Sequence, residues 1–329
     1  MSTSTFSADL LKIDCAREAD KITAVMREQV LRHFKKKGVV VALSGGIDSS
    51  VVGALAVRAY GPERVFGLLM PERDSSPETL SLSRDLTRHL GIEFVHEDIT
   101  GILDAVGCYR RRDEAIKLVC PEYGPGWKSK IVLPKVLEDD QYRIFSVVVE
   151  SPAGERSEVR LTLAAYLGIV AATNFKQRTR KMLEYYHADR LNYAVTGTPN
   201  RLEYDQGFFV KLGDGAADIK PIAHLYKSQV YQMAEFLQLP ETIRNRPPTT
   251  DTYSLPQSQE EFYFSLPYDK MDLVLLGRNQ GATAAEVGGA MGLPAEQIER
   301  VYRDIESKRR VAAYLGAPPV LVEPISAGH

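Results

Sequence analysis

The sequence predicts an α/β protein built on a doubly wound parallel sheet, with an inserted β-hairpin and a helical C-terminal region. Three observations carry that expectation. Short apolar strands alternate with helical stretches before residue 100, the alternation returns after residue 164, and residues 108–163 interrupt it. The whole reads as a single domain over 1–329, with 108–163 an inserted loop and hairpin and 265–329 a helical extension of the same domain.

Apolar residues three or four apart (Leu11, Ala16, Ile22, Val25, Met26, Leu31, Phe34) predict one long amphipathic helix over 8–36. Lys35, Lys36, Lys37 and Gly38 read as its stop signal rather than as a phosphate contact. Residues 39–43 form a wholly apolar run, the signature of a strand buried on both faces. After a turn at 44–47 come a helix over 48–60, a strand over 64–70, a helix over 77–90 stopped by Gly91, and a strand over 93–99. In the insertion, runs at 143–150 and 158–163 flank Ser151-Pro152-Ala153-Gly154 and predict a hairpin, while the Pro- and Gly-rich 120–127 predicts loop. Helices over 164–189 and 225–237 flank a buried strand at 193–197, and three helices follow at 268–276, 282–291 and 294–315.

Composition excludes several functions. With 41 Lys+Arg against 43 Asp+Glu the net charge is −2, so the basic excess of a general nucleic-acid binder is absent. Cys15, Cys108 and Cys120 are odd in number and widely spaced, fitting neither a disulfide framework nor a zinc knuckle, and the six histidines form no HExxH or HxxxH pair. No leader-like start and no apolar run near the roughly 18–20 residues of a membrane span are present, so a cytoplasmic location without membrane contact is expected.

The segment that carries chemistry is Ser44-Gly45-Gly46-Ile47-Asp48-Ser49-Ser50, set between a buried strand and a helix. Two glycines let backbone approach an anion closely, and the helix dipole points at it. The Gly-Lys-Ser/Thr ending of a Walker A loop is missing, and so is GxGxxG. Asp48 beside anion-binding amides opposes a bound phosphate unless a cation intervenes, which Mg²⁺ between Asp48 and a pyrophosphate would satisfy.

The SGGxDS loop in this context resembles the PP-loop ATP pyrophosphatases, which split ATP between the α and β phosphates. Thr196-Gly197-Thr198-Pro199-Asn200, Glu203, the run from Gly207 to Gly215, and Asp218-Ile219-Lys220-Pro221 are similar to the NAD synthetase signature within that superfamily. Asn174 with Arg178 and Arg180, Leu225-Tyr226-Lys227-Ser228-Gln229-Val230, Pro248-Thr249-Thr250-Asp251, Tyr268-Asp269 and Lys308-Arg309-Arg310 extend the likeness across 38–107 and 174–325.

The resemblance implies a ligase that adenylates the nicotinate carboxylate of nicotinic acid adenine dinucleotide and lets ammonia displace AMP, giving NAD, AMP and pyrophosphate. It assigns Ser44, Gly45, Gly46, Asp48, Ser49, Thr198, Lys227 and Thr249 to ATP, with Asp48 and Lys227 catalytic. Asp48 and Glu203 are assigned to Mg²⁺, and Arg178, Lys211, Asp218, Ser307 and Lys308 to the dinucleotide. It also implies a homodimer.

Arg178 suits an anionic phosphate by a bidentate fork and Lys211 as a point charge, whereas Asp214 between two glycines reads as a turn former. Residues 249–264 have two readings, a water-excluding lid or a connection whose aromatics pack as a satellite core. Only 43 residues precede the loop, too few for a glutaminase domain in this chain, so free ammonia is the expected nitrogen source. Two departures stand out: Ser307 where the family usually places His, and the insertion just before Arg178. They keep open a PP-loop ligase acting on another carboxylate or an RNA base, or a diverged nucleotide-binding paralogue.

Overall fold

The computed structural model describes residues 6–133, 145–247, 252–258, 263–264 and 266–323. Its centre is a parallel sheet of β1 (Val39–Ala42), β2 (Val65–Leu69), β3 (Glu93–His96) and a later strand, Ala194–Thr196. The first helix, α1 (Cys15–Arg27), starts well after residue 8, because Asp14 caps it by accepting from Arg17 N while Ile13 N donates to Gln232. A short 3₁₀ turn precedes α1, and a π-helical turn at Glu28–His33 follows it. The left-handed residue that ends this segment is Lys35 (φ 54°), not Gly38. Gly38 is needed for another reason, since a Cβ there would lie 2.2 Å from the Arg64 carbonyl oxygen.

The crossovers between these parallel strands supply α2 (Ile47–Tyr60) and α3 (Pro77–Leu90), the latter ended by Gly91 in the left-handed region. Two further helices, α4 (Thr100–Ala105) and α5 (Cys108–Lys117), follow β3, so the start of the expected insertion is helical. The insertion itself holds three strands rather than a bare hairpin. β4 (Lys128–Val132), β5 (Ser146–Glu150) and β6 (Arg156–Arg160) form an antiparallel sheet with β5 in the middle. β4 escapes the alternation pattern because its inward positions include Ser129, which is buried by donating its N–H to Ser254 Oγ.

The 29-residue α6 (Leu163–Leu191) then spans the molecule and feeds β7 (Ala194–Thr196), which pairs with β1. Strand order is β3-β2-β1-β7, so the direction of winding reverses between β1 and β7. Ligands in open α/β sheets bind where two such strands end. Val39 and Val41 join the core under α1, α2 and the helix α8 named below, whereas Val40, Phe66, Leu68 and Val195 face α5 and α6.

The remaining helices are α7 (Arg201–Gln206), α8 (Lys227–Phe236), α9 (Glu241–Arg244), α10 (Tyr268–Gln280), α11 (Ala284–Met291) and α12 (Ala295–Gly316). The last three share an apolar core with Leu202 of α7 and Tyr226. No helix among the described residues is long and apolar enough to cross a membrane.

Candidate functional site

At the carboxyl end of β1 the chain turns through Ser44-Gly45-Gly46 into α2. Gly45 has φ 68°, and a Cβ on it would meet the Thr79 carbonyl oxygen at 2.9 Å, so conformation and space both demand glycine. The turn's own serines close it. Ser49 Oγ accepts from Ser44 N (3.3 Å) and donates to the Gly46 carbonyl (3.0 Å), which also accepts from Ser50 Oγ (2.8 Å). No side chain caps α2, which leaves its first-turn amides to an anion.

Gly46, Ile47, Asp48 and Ser49 line a cavity of about 870 Å³ that opens at the β1/β7 switch point. Across it, Asn200 organises two carboxylates. Its Nδ2 donates to Asp48 Oδ1 (3.0 Å) and its backbone N–H donates to Glu203 Oε2 (3.1 Å). Asn200 and Glu203 also make a reciprocal capping box at the start of α7, which fixes the Glu203 rotamer.

Burial, with the Asp48 charge second, pushes Glu203 up to about 8. Lys227, 2% exposed, ion-pairs with Asp48 Oδ2. Burial disfavours its charge, but Asp48 and Glu203 outweigh that and hold the ammonium above its usual value. Asp272, fully buried, accepts from the backbone N–H groups of Lys227 (3.1 Å) and Ser228 (2.6 Å) and so pins the start of α8.

A second group in the cavity wall is Arg178, Lys211 and Tyr314. Arg178 Nε donates to the Lys211 carbonyl (3.2 Å), and Lys211 Nζ donates to the Tyr314 carbonyl (2.9 Å) while lying 4.2 Å from that ring's centre. Lys176, under this wall, is 2% exposed and bonds Glu72, Asp74 and the Thr252 carbonyl, each at 2.8 Å. Arg112 completes the network on Asp74 at 2.7 Å.

Of the residues singled out from sequence, Ser44, Gly46, Asp48, Ser49, Thr198, Glu203, Lys227, Arg178 and Lys211 meet in this one cavity. Gly45 shapes the turn from behind. Asp218 lies off the described lining, its carboxylate accepting from Val195 N (2.7 Å) and Tyr185 OH (3.2 Å). Ser307 is exposed, and Lys308 is buried with its ammonium on Asp304 (2.9 Å) and the Tyr263 carbonyl; neither is in that lining. Thr249 lies outside the described residues.

Within 249–264, residues 252–258 dock on the free edge of β4. Leu255 N donates to the Ser129 carbonyl (3.2 Å), Lys130 Nζ to the Pro256 carbonyl (3.2 Å), and Gln257 Nε2 to the Ile131 carbonyl.

Asn200, Asp272 and Lys176 are absent from the sequence-derived set. The three-residue spacing of Asn200 and Glu203 was a readable capping signal, and Asp272 is a lone acid in the apolar run Met271 to Leu276. Lys176 carries no signal of its own, because its partners are about a hundred residues away. Burial pushes all three thiols up, so no cysteine here is an activated nucleophile.

A glycine turn and uncapped helix at the switch point of a parallel sheet, with paired carboxylates and a buried lysine over them, define a nucleotide-binding α/β protein of the PP-loop class. The family model for NAD synthase matches residues 18–119 and 155–312. The chain is 62% identical to the NH(3)-dependent NAD(+) synthetase of Rhizobium meliloti (strain 1021) over 97% of its own length and 96% of that protein. It is 37% identical to the NH(3)-dependent NAD(+) synthetase of Thermotoga neapolitana, over 78% of this chain and 82% of that one. In structure it is similar to the NH3-dependent NAD synthetase from Campylobacter jejuni (TM-score 0.61, 25% identity, 95% of this chain and 100% of that one). The chain belongs to the NAD synthase family.

Proposed function

We propose that the protein is an ammonia-dependent ligase that amidates nicotinic acid adenine dinucleotide with ATP, giving NAD, AMP and pyrophosphate. The observation that carries this reading is the convergence of Asp48, Glu203 and Lys227 on the uncapped head of α2. A carboxylate attacking the α phosphate must approach like charge, and an acyl-adenylate forms as pyrophosphate leaves. The α2 amides and the Lys227 ammonium stand where the leaving group's charge grows. Arg178 and Lys211 hold phosphates of the second nucleotide. Ammonia then adds to the acyl carbon, and AMP departs with the bonding pair of the broken acyl–oxygen bond.

The donor set suits Mg²⁺. Among the described residues no group of three acidic, His or Cys ligands occurs, but Mg²⁺ is commonly held by one or two carboxylates together with substrate phosphates and water. Glu203, raised by burial and by Asp48, is a carboxylate whose charge a cation would stabilise. Asp48 and Glu203 would hold the ion, which supplies Lewis-acid stabilisation of phosphoryl oxygens when bound.

Three thiols without disulfide partners fit a cytoplasmic location. Exposed Leu163, Leu167, Met182 and Tyr186 on α6 fit a homodimer contact.

The test is pyrophosphate release with ATP and ammonium over a panel of carboxylates. Nicotinic acid adenine dinucleotide should stimulate release most, and no stimulation by it overturns the reading. Equal turnover with glutamine in place of ammonium would refute free ammonia as the donor.

A further inference from the structure

The two groups that flank Asp48 stand on different helices. Glu203 belongs to α7 and Lys227 is the first residue of α8, so their separation depends on what holds those helices together. Both helices are anchored in the apolar core of α10, α11 and α12, to which α7 gives Leu202 and the residue before α8 gives Tyr226.

α8 is preceded by Tyr226 rather than by Ser, Thr, Asp or Asn. Asp272 of α10, 45 residues downstream of Lys227, supplies the missing acceptors. Its two oxygens are used separately, Oδ1 accepting from the Lys227 N–H (3.1 Å) and Oδ2 from the Ser228 N–H (2.6 Å). The same helix grips the preceding residue, where Asn279 Nδ2 donates to the Tyr226 hydroxyl (3.1 Å). Two contacts from α10 thus fix three successive residues, with Lys227 in the middle.

The frame also reaches α7. Arg309 of α12 forks onto Asp205, two residues after Glu203, through Nε to Oδ1 (2.6 Å) and Nη2 to Oδ2 (3.0 Å), and it donates to Asn279 Oδ1 as well. A continuous path from Asp205 through Arg309 and Asn279 to Tyr226 therefore joins the surroundings of Glu203 to those of Lys227. α12 lies so near the end of α7 that a Cβ on Gly207 would stand 2.8 Å from that of Ala312. Asp272, Asn279 and Arg309 are all outside the described cavity lining, so whatever they do for the reaction is done through other residues.

We propose that Asp272 and Arg309 are positioning residues that set the spacing of Lys227 and Glu203 across the head of α2, Asp272 through the α8 backbone and Arg309 through α7. This rests on the functional reading above, in which Lys227 and Glu203 act where the α–β bond of ATP breaks. A misplacement of about 1 Å at such groups can cost about a hundredfold in rate, and a contact realised only in the transition state is lost from kcat rather than from KM.

The experiment measures kcat for pyrophosphate release and KM for ATP in wild type, Asp272→Asn, Arg309→Met and Arg309→Lys. Ammonium and nicotinic acid adenine dinucleotide are saturating, and assays run well below the lowest unfolding midpoint. Asn keeps the shape of Asp272 but turns an NH2 toward one of the two N–H groups. In Asp272→Asn kcat should fall about thirtyfold with KM for ATP within about twofold of wild type. Arg309→Met should lose about tenfold in kcat, and Arg309→Lys, which keeps the charge and one bond to Asp205, should recover to within about threefold. Arg309 is part-exposed, so its variants carry the test should Asp272→Asn be too unstable to assay. An unchanged kcat with only a lowered unfolding midpoint, in Asp272→Asn or in Arg309→Met, overturns the proposal, as does a loss expressed only as a higher KM for ATP. A wild type that releases no pyrophosphate with these substrates overturns the functional reading instead.

Discussion

The cavity has a charged end and an apolar end, and the two are built on opposite plans. Around Asp48 the wall is a set of charges whose positions are imposed by backbone: a helix head, a capping box and a buried carboxylate pinning α8. Around Phe145 the wall is apolar surface held by packing, and its support comes from an inserted sheet and a docked loop. A charge-built site tolerates little change in residue type, because each group meets a partner of fixed sign. A packing-built wall tolerates change in type as long as volume and flatness survive. Conservative replacement should therefore be severe at one end and mild at the other.

The largest expected effect is at the charged end. Asp48→Asn should lower pyrophosphate release by about a thousandfold, since it removes the partner of Lys227 and a carboxylate proposed to hold the metal ion. A rate within a few fold of wild type would erase the contrast between the ends.

Lys176→Met tests the link between them, because Lys176 holds Glu72, Asp74 and the Thr252 carbonyl together. Leaving those acids buried without the cation should destabilise by about 3–5 kcal/mol in denaturant unfolding. A loss under about 1 kcal/mol would show that the network is not a structural bolt.

Asp272 gives a pH signature. Burial raises it from 3.8 to about 6, so the folded protein keeps that proton longer than the unfolded chain does. Stability should fall as pH rises from about 4 to 6 and level off above, and Asp272→Asn should lack that slope. Parallel pH curves for the two proteins would count against it. The smallest effect belongs to the apolar end, where Ser254→Ala leaves Ser129 N–H without its acceptor and should cost about 1 kcal/mol. Urea titration measures it, and a loss as large as that of Lys176→Met would show that the wall is not packing-built.

The same contrast explains what the sequence made legible. Gly91 ends α3 as expected and the 44–50 turn opens α2, because turn and cap residues act locally. Asp48, Glu203 and Lys227 were legible as a set through motif order, and they meet as a cluster in space. β4 was not legible, because Ser129 faces inward and its partner lies 125 residues on. The single helix expected over 8–36 breaks at Asp14, where the cap competes successfully with an uninterrupted apolar stripe. The resemblance assigns Lys308 to the dinucleotide, and nothing in the sequence signals that α12 sets its ammonium on Asp304, one turn earlier.

The docking of 252–258 on β4 also sets an order of events during synthesis. The free edge of the inserted sheet stays open until a strand-like segment more than a hundred residues downstream has left the ribosome. Until then β4 presents unpaired backbone groups to other nascent chains, so the insertion is the region where slowed translation or truncation after residue 247 would most readily produce aggregation.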